Sequence, residues 1–352
     1  MGRRRLVEAA KPALESLVAV LIGLLIAVII LWVSGFNPID VLYRGFRHSL
    51  FTLQGLYNTL AASIPLVFTA ITWAVGIRVG VFNVGAEGAV LLGGISAIAA
   101  GGLVPLPAGL SHIFVALIAL LAGAIWIVPV AFLKIKRNVH EVVSTIMLNY
   151  VAIFLTSFFV VQVLSDPETP TRTIQILPST RLHSLVPGTT LTLDIFLSTF
   201  FALLVYFILW HTKVGQHMRA SGFDRETARN SGIDTQKMIY FAFAIGGASA
   251  GLAGFSLTVG LPPTWSISEK LGTLTGYGFT GIAVASIARN HPVACVFSAI
   301  LFSALMTSQS YLQMFLGVPP AITDVIIGTV IVVLALPDLL TRIGLLSARL
   351  RG

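Results

Sequence analysis

Apolar residues run in long stretches along this chain, at 16–33, 56–75, 84–104, 113–132, 142–164, 191–210, 238–259, 274–287, 293–311 and 321–336. Most approach the roughly 20 residues that a helix needs to cross a hydrocarbon core about 30 Å thick. They lack the alternation of barrel strands, and a backbone in lipid must satisfy its own hydrogen bonds, so each stretch predicts a helix. The fold class expected is an all-α polytopic membrane protein with about ten transmembrane helices. The polar intervals set the organisation of a single membrane domain over 1–352: a first helix at 12–35, a helix group at 54–164, an outer loop at 165–190, a polar loop at 212–237 and a second helix group at 238–340. The outer loop carries Pro167, Pro170, Pro178 and Pro187, which predicts an extended segment or one partly folded over the mouth of the bundle. Residues 36–54, with Arg44, Arg47 and His48 among Leu, Phe and Tyr, read as an interfacial amphipathic helix. The stretch 261–270, with Trp265, reads as one that dips back into the bundle.

Composition removes the soluble alternatives. A mean hydropathy of +0.92 with 10% charged residues leaves too little polar matter to cover a globular surface. The 22 Lys and Arg residues are distributed unevenly. With a cytoplasmic N-terminus, seventeen fall on the inner side and five (Arg44, Arg47, Arg172, Arg181 and Lys270) on the outer, a positive-inside bias that puts both termini in the cytoplasm. The net charge of +8 is then a consequence of topology, so no nucleic-acid partner is implied. The basic GRRR start precedes an apolar run of span length without a clear cleavage site, and reads as a retained first helix. Cys295 is the only cysteine, which excludes an internal disulfide, and its place inside a predicted span makes it a small buried apolar residue.

Small residues at 93–102 and 245–254, with Gly247 and Gly251 at GxxxG spacing, predict helices that approach closely inside the bundle. The spans over 56–164 and 238–336, whose starts are separated by an odd number of spans, are a candidate inverted pair, a transporter-like plan. Polar residues inside such helices are candidates for a translocation path. In GVFNVGAEG (80–88) Asn83 and Glu87 share one helix face, where the pair lines a gate or binds a polar solute, or Glu87 caps a neighbouring helix or pairs with a basic loop residue. In EVVSTIMLNY (141–150) Glu141, Thr145 and Asn149 recur at i, i+4 and i+8, a stripe that faces either a wet path or another helix. GYGFTGIAVA (276–285) offers Tyr277, Phe279 and Thr280, an aromatic and hydroxyl set able to hold a ring-bearing solute or to pack in the core. There is no GxxxxGK[ST] loop, HExxH, CxxC or nucleophile elbow, so neither an enzyme, a cofactor nor a metal site is expected.

The polar loop 212–237 concentrates eight charged residues of both signs. Asp224 suits an N-cap, Glu226 the first helical turn and Gly232 a left-handed stop, which predicts a helix over 225–231. A helix that short is marginal alone. It makes sense when seated in a groove of another protein, with Phe223, Ala228 and Ile233 as apolar anchors.

ASGFDRETARNSGI resembles the coupling-helix loop of bacterial ABC importer permeases, in the family that includes ribose, branched-chain amino acid and nucleoside permeases. GVFNVGAEG, EVVSTIMLNY and GYGFTGIAVA resemble motifs of its nucleoside and simple-sugar branch, in the same order along nearly the whole chain. Thr227 stands where an alanine is more usual, and Ala89 where a polar residue is often found. The resemblance implies a plasma-membrane subunit that translocates a nucleoside or related sugar-containing solute. It implies as partners a cytoplasmic ABC ATPase, often with two fused nucleotide-binding domains, a second similar permease and an extracytoplasmic substrate-binding lipoprotein. The ATPase contact falls on Gly222, Phe223, Asp224, Glu226, Ala228, Gly232 and Ile233. The alternatives are an ABC permease for a simple sugar or branched-chain amino acid, or an ion-coupled secondary carrier with Glu87 as its coupling carboxylate.

Overall fold

A computed structural model describes residues 25–260, 262, 265–326 and 328–329. The start of the first helix, the end of the 321–336 span and the terminal basic residues Arg3, Arg4, Arg5, Lys11, Arg342, Arg349 and Arg351 lie outside the described residues, as do three positions of the 261–270 stretch. The helices in chain order are α1 Leu25–Val33, α2 Pro38–Phe51, α3 Leu53–Val79, α4 Ala86–Leu103, α5 Leu110–Arg137, α6 Glu141–Phe158 and α7 Asp194–His211. They continue as α8 Lys213–Phe223, α9 Arg225–Asn230, α10 Thr235–Val259, α11 Tyr277–Ile287 and α12 Pro292–Leu316. Among the described residues seven are long and apolar enough to cross a membrane, and α1 with α2, bent by 120° at Ser34–Asn37, make an eighth if taken as one span.

The expected span at 274–287 is corrected. Its helix covers 11 residues, about 16 Å at 1.5 Å per residue, too short to cross. Gly276 enters it with φ 94°, and Arg289 and Asn290 leave it with φ 51° and 55°, so left-handed backbone bounds the helix at both ends. Apolar content alone does not reveal those stops.

The chain divides into two compact units, 57–303 and a unit of the flanking segments. In the flanking unit, α2 is capped by Asn37, which accepts from the Ile39 and Asp40 amides. It buries Val41, Gly45 and Ser49, and Ser308 of α12 donates its hydroxyl to the Gly45 carbonyl at 2.9 Å.

In the larger unit α4 and α10 are mostly enclosed, while α5, α6 and α7 present large apolar side chains outward. Val143, Met147, Tyr150, Phe154 and Phe158 form an exposed stripe on α6, and Glu141, Thr145, Asn149 and Thr156 form its buried stripe. Apolar outside and polar inside is the reverse of a water-soluble helix, and it is the arrangement that lipid as solvent demands. On the enclosed side α4, α5 and α10 meet through glycines. A Cβ on Gly251 would sit 3.3 Å from the Cα of Gly123 and run into the Ala119 carbonyl, and one on Gly93 would strike the Gly251 backbone. Only the bare backbone fits that crossing, as the GxxxG spacing anticipates.

The outer-loop segment 171–176 pairs with 265–269. Thr173 donates its amide to the Ile267 carbonyl at 2.9 Å, Ile176 to Trp265 at 3.2 Å, and Glu269 to Thr171 at 2.9 Å. Leu177 and Leu182 donate to the Gly101 and Val259 carbonyls near the ends of α4 and α10. Ile176, Ile267 and Leu271 are buried, so proline prevents a helix here without preventing packing.

Candidate functional site

At the end of the larger unit where α3, α7 and α11 terminate, α8 and α9 form a polar elbow. Thr212 caps α8, accepting from the Gly215 amide at 3.1 Å. The other end of α8 lies against the α3–α4 turn, where a Cβ on Gly222 would strike the Arg78 carbonyl. Asp224 ends α8 and caps α9, its Oδ1 accepting from the Glu226 amide at 2.9 Å and the Thr227 amide at 3.2 Å, its Oδ2 from the Thr227 hydroxyl at 2.7 Å. Gly232 closes the helix at φ 83°, and Ile233 donates back to the Ala228 carbonyl at 3.1 Å. The helix is thus Arg225–Asn230, one residue shorter than the expected 225–231.

Of the three apolar anchors expected on this elbow, Phe223 stands free at 95% exposure. Ala228 is turned inward, which fastens α9 to its own chain, and Ile233 is half-buried. Glu226 and Arg229 face solvent. Arg225 reaches across, its Nη2 donating to the Gly80 carbonyl at 2.8 Å. A residue of α9 therefore holds the turn that leads into α4, a link that neither local sequence motif contains.

The Thr227 hydroxyl, then the Thr227 and Glu226 amides, hold the Asp224 carboxyl below the usual carboxylate range. A depressed value means that the cap contributes fully above the ordinary carboxylate pKa of about 3.9 and is lost only as pH falls through the lower one. Protection of the α9 amides from hydrogen exchange is expected to be the same at any pH from about 6 to 8. Asp224→Ala is expected to speed exchange at Glu226 and Thr227 several-fold while Asp224→Asn, which keeps an acceptor oxygen, does not.

Beyond the turn, Asn83, Glu87, Thr145 and Asn149 are brought together, all buried. Asn149 spans the entry to α4. Its Oδ1 accepts from the Gly88 amide at 2.9 Å and its Nδ2 donates to the Val84 carbonyl at 3.0 Å. Thr145 donates to the Glu141 carbonyl of its own helix at 2.7 Å. Asn83 Oδ1 accepts from Gly85 at 3.1 Å, while its buried Nδ2 has no partner. Both Glu87 oxygens accept amide hydrogens at the start of α11, one from Gly276 and the other from Gly278 at 2.8 Å. Glu87 therefore caps α11, one of its sequence readings, with its carboxyl oxygens at the positive end of that helix. Tyr277 packs against the core, Phe279 projects outward at 52% exposure and Thr280 returns its hydroxyl to the Gly276 carbonyl at 2.8 Å. Of the seven candidate path residues, Asn83, Glu87, Thr145 and Asn149 form a buried clamp around the start of α4, Tyr277 packs against the core, and Phe279 and Thr280 lie on the outward part of α11.

Two features escaped the motifs. Lys134 pairs with Glu141 at 2.6 Å, and the Phe82 amide points at the same carboxylate at 3.4 Å, joining α5, α6 and the α3–α4 turn. Asp194, buried at the start of α7, accepts from the Thr192 and Ser256 hydroxyls. A lone acid in an apolar run was its visible signal. Among the described residues no cluster of His, Cys, Asp and Glu is arranged to hold a metal.

The family model described as the branched-chain amino acid transport system / permease component matches residues 55–335. The chain belongs to that permease family. The permease is 31% identical over 337 residues to the guanosine ABC transporter permease protein NupP of Bacillus subtilis, covering 94% of this chain and 95% of the relative. It is 29% identical to the nucleoside ABC transporter permease protein NupB of Lactococcus lactis, over 92% and 91% of the two chains. It is also 28% identical to the glucose ABC transporter permease protein TsgB13 of Haloferax volcanii, over 96% and 91%. The permease is thus a multi-pass membrane subunit of an ABC transport system, a class whose permease subunits carry no ATPase site of their own.

Proposed function

We propose that this permease imports a nucleoside and receives its energy at α9 from a cytoplasmic ABC ATPase. One observation carries the coupling reading: a capped helix beside the fully presented Phe223 is tied through Arg225 to Gly80, and so to the turn that opens α4. ATP-driven closure of the partner would push α9 and displace that turn. The clamp at Asn149 and the Glu87 cap then carry the movement into α4 and α11, two packed elements that have to move together. Asn83, Glu87, Thr145, Asn149, Tyr277, Phe279 and Thr280 lie along the route. The outward face of α11, with Phe279 exposed, suits a passage shared with a second, similar permease. An extracytoplasmic binding lipoprotein would deliver the solute to the outer-loop end. The excess of Lys and Arg on the α8–α9 side supports a cytoplasmic elbow and cytoplasmic termini in the plasma membrane.

The nucleoside assignment rests on the guanosine and nucleoside relatives, and the glucose relative defines the second reading. Proteoliposomes holding the permease, its paired permease and the ATPase, supplied with the binding protein, test both. Labelled guanosine is expected to accumulate with internal ATP at least tenfold faster than labelled glucose or leucine. Faster glucose entry would replace the nucleoside reading with the sugar one. Uptake by this chain alone, driven by an ion gradient and indifferent to ATP, would remove the ABC mechanism altogether.

A further inference from the structure

Beside α8, where α3 and α7 end, two guanidinium groups share one indole. The Cζ of Arg78 lies 5.1 Å from the Trp210 ring centroid and that of Arg219 5.4 Å from it. Tyr206 stacks on Trp210 with centroids 5.3 Å apart, and His291 closes the group at 4.9 Å from Trp210. Arg78 donates Nε to the Asn290 carbonyl at 3.0 Å and Nη2 to the Arg289 carbonyl at 3.2 Å, which anchors its head at the end of α11 without neutralising it. Arg219 Nε is buried and has no hydrogen-bond partner. Among the described residues no carboxylate forms an ion pair with either arginine. Like charges held together in partial burial repel more strongly than in water, and a buried donor without an acceptor is costly. Burial, and then the field of Arg78, lower the pKa of His291, as expected where nothing offsets the positive charge.

The surroundings point to the kind of anion that would fit these arginines. The outward face of α7 is apolar along its length, through Phe196, Phe200, Leu203 and Phe207, and ends at Trp210 and this cationic group. Apolar below and cationic and aromatic above is the profile of a membrane–water boundary. We propose that Arg78 and Arg219, seated on Trp210, bind the phosphate headgroup of an anionic phospholipid whose chains lie along α7. Guanidinium groups fit phosphate oxygens in paired hydrogen bonds, and basic pockets between membrane helices attract acidic headgroups. The lipid would brace α8, which leads directly into α9, so the occupant sits where it can set the position of the elbow. Binding at this cluster is independent of which solute the permease moves. On the cytoplasmic reading of the elbow, the lipid belongs to the inner leaflet.

Native mass spectrometry of the full chain released from micelles tests this, with phosphatidylglycerol or phosphatidylcholine of matched chains added, and with inorganic phosphate as competitor. The wild-type chain is expected to retain phosphatidylglycerol at least fivefold over phosphatidylcholine. Arg219→Gln is expected to lower that retention about fivefold with unchanged thermal stability, and Arg219→Lys to lower it less. Equal retention of the two lipids, or retention unaffected by Arg219→Gln, overturns the proposal. Displacement by millimolar inorganic phosphate overturns it in favour of a free-anion site. Indifference to lipid and phosphate together with loss of the ATPase from Arg219→Gln complexes overturns it in favour of an acidic segment of that partner. Each readout is of binding, so it stands apart from any failure of the transport assignment.

Discussion

Glu87→Ala is expected to destabilise the permease more than any other single change in the clamp, and to abolish transport with it. The Glu87 carboxylate accepts the Gly276 and Gly278 amides. Without it, the Gly278 amide faces the α4 backbone with no water to take its place, since Gly278 is buried against Glu87 itself, while the exposed Gly276 amide can turn to water. A buried donor left unpaired costs about 1–3 kcal/mol, and the truncation also removes packing between α4 and α11, so the loss is on the order of 2–3 kcal/mol. In a chain that depends on α4 meeting α11, that is enough to lower the folded yield sharply. Glu87→Gln separates a cap from a chemical role. Its single carbonyl oxygen satisfies one amide, so stability and uptake should both fall between wild type and alanine. Thermal unfolding in micelles and uptake in proteoliposomes measure the two quantities. An ion-coupling carboxylate would show the opposite separation, with the glutamine variant fully stable and as inactive as alanine.

What was legible in the sequence depends on how far apart the partners are. The short helix α9 was readable almost to its ends, because Asp224, Glu226 and Gly232 act on backbone groups within a few residues of themselves. The inward stripe of α6 was likewise readable, since the spacing of Glu141, Thr145 and Asn149 fixes a shared face whatever lies opposite. What they touch was not. Asn149 clamps Gly88 and Val84, and Glu87 caps a helix nearly two hundred residues later. No period or local motif records such pairings. Glu87 consequently had several open readings, and its cap becomes visible only once α11 is placed. The length of α11 failed for a related reason: the apolar run at 274–287 is 14 residues, about 21 Å as a helix, left-handed backbone at Gly276 trims its start, and Arg289 and Asn290 prevent extension beyond Ile287, so no helix of membrane thickness forms. Asp194 and Lys134 went unassigned because each is a single charge whose meaning comes from its partners, Thr192 and Ser256 for one and Glu141 for the other.

Phe223→Asp combined with Glu226→Lys is expected to abolish co-purification of the ATPase and all ATP-driven uptake, while the permease still inserts and folds. Phe223 is 95% exposed, so a charge there costs the isolated permease almost nothing, yet an aromatic anchor entering a desolvated groove commonly contributes more than 2 kcal/mol. Replacing it with a carboxylate adds a burial penalty, and reversing Glu226 adds a repulsive or unpaired charge at the rim. The cap at Asp224 and the inward Ala228 are untouched, so α9 itself persists. Arg225→Ala is the companion experiment. It leaves the free surface of the elbow in place and removes its bond to the Gly80 carbonyl. The ATPase should still bind and hydrolyse ATP, but solute uptake per ATP should fall several-fold because the push no longer reaches the α4 turn. Stoichiometric ATPase binding by the double variant would overturn the docking assignment. Unchanged uptake per ATP in Arg225→Ala would leave docking intact and move the mechanical link to the Gly222 contact with the Arg78 carbonyl, where α8 rather than α9 presses on the turn.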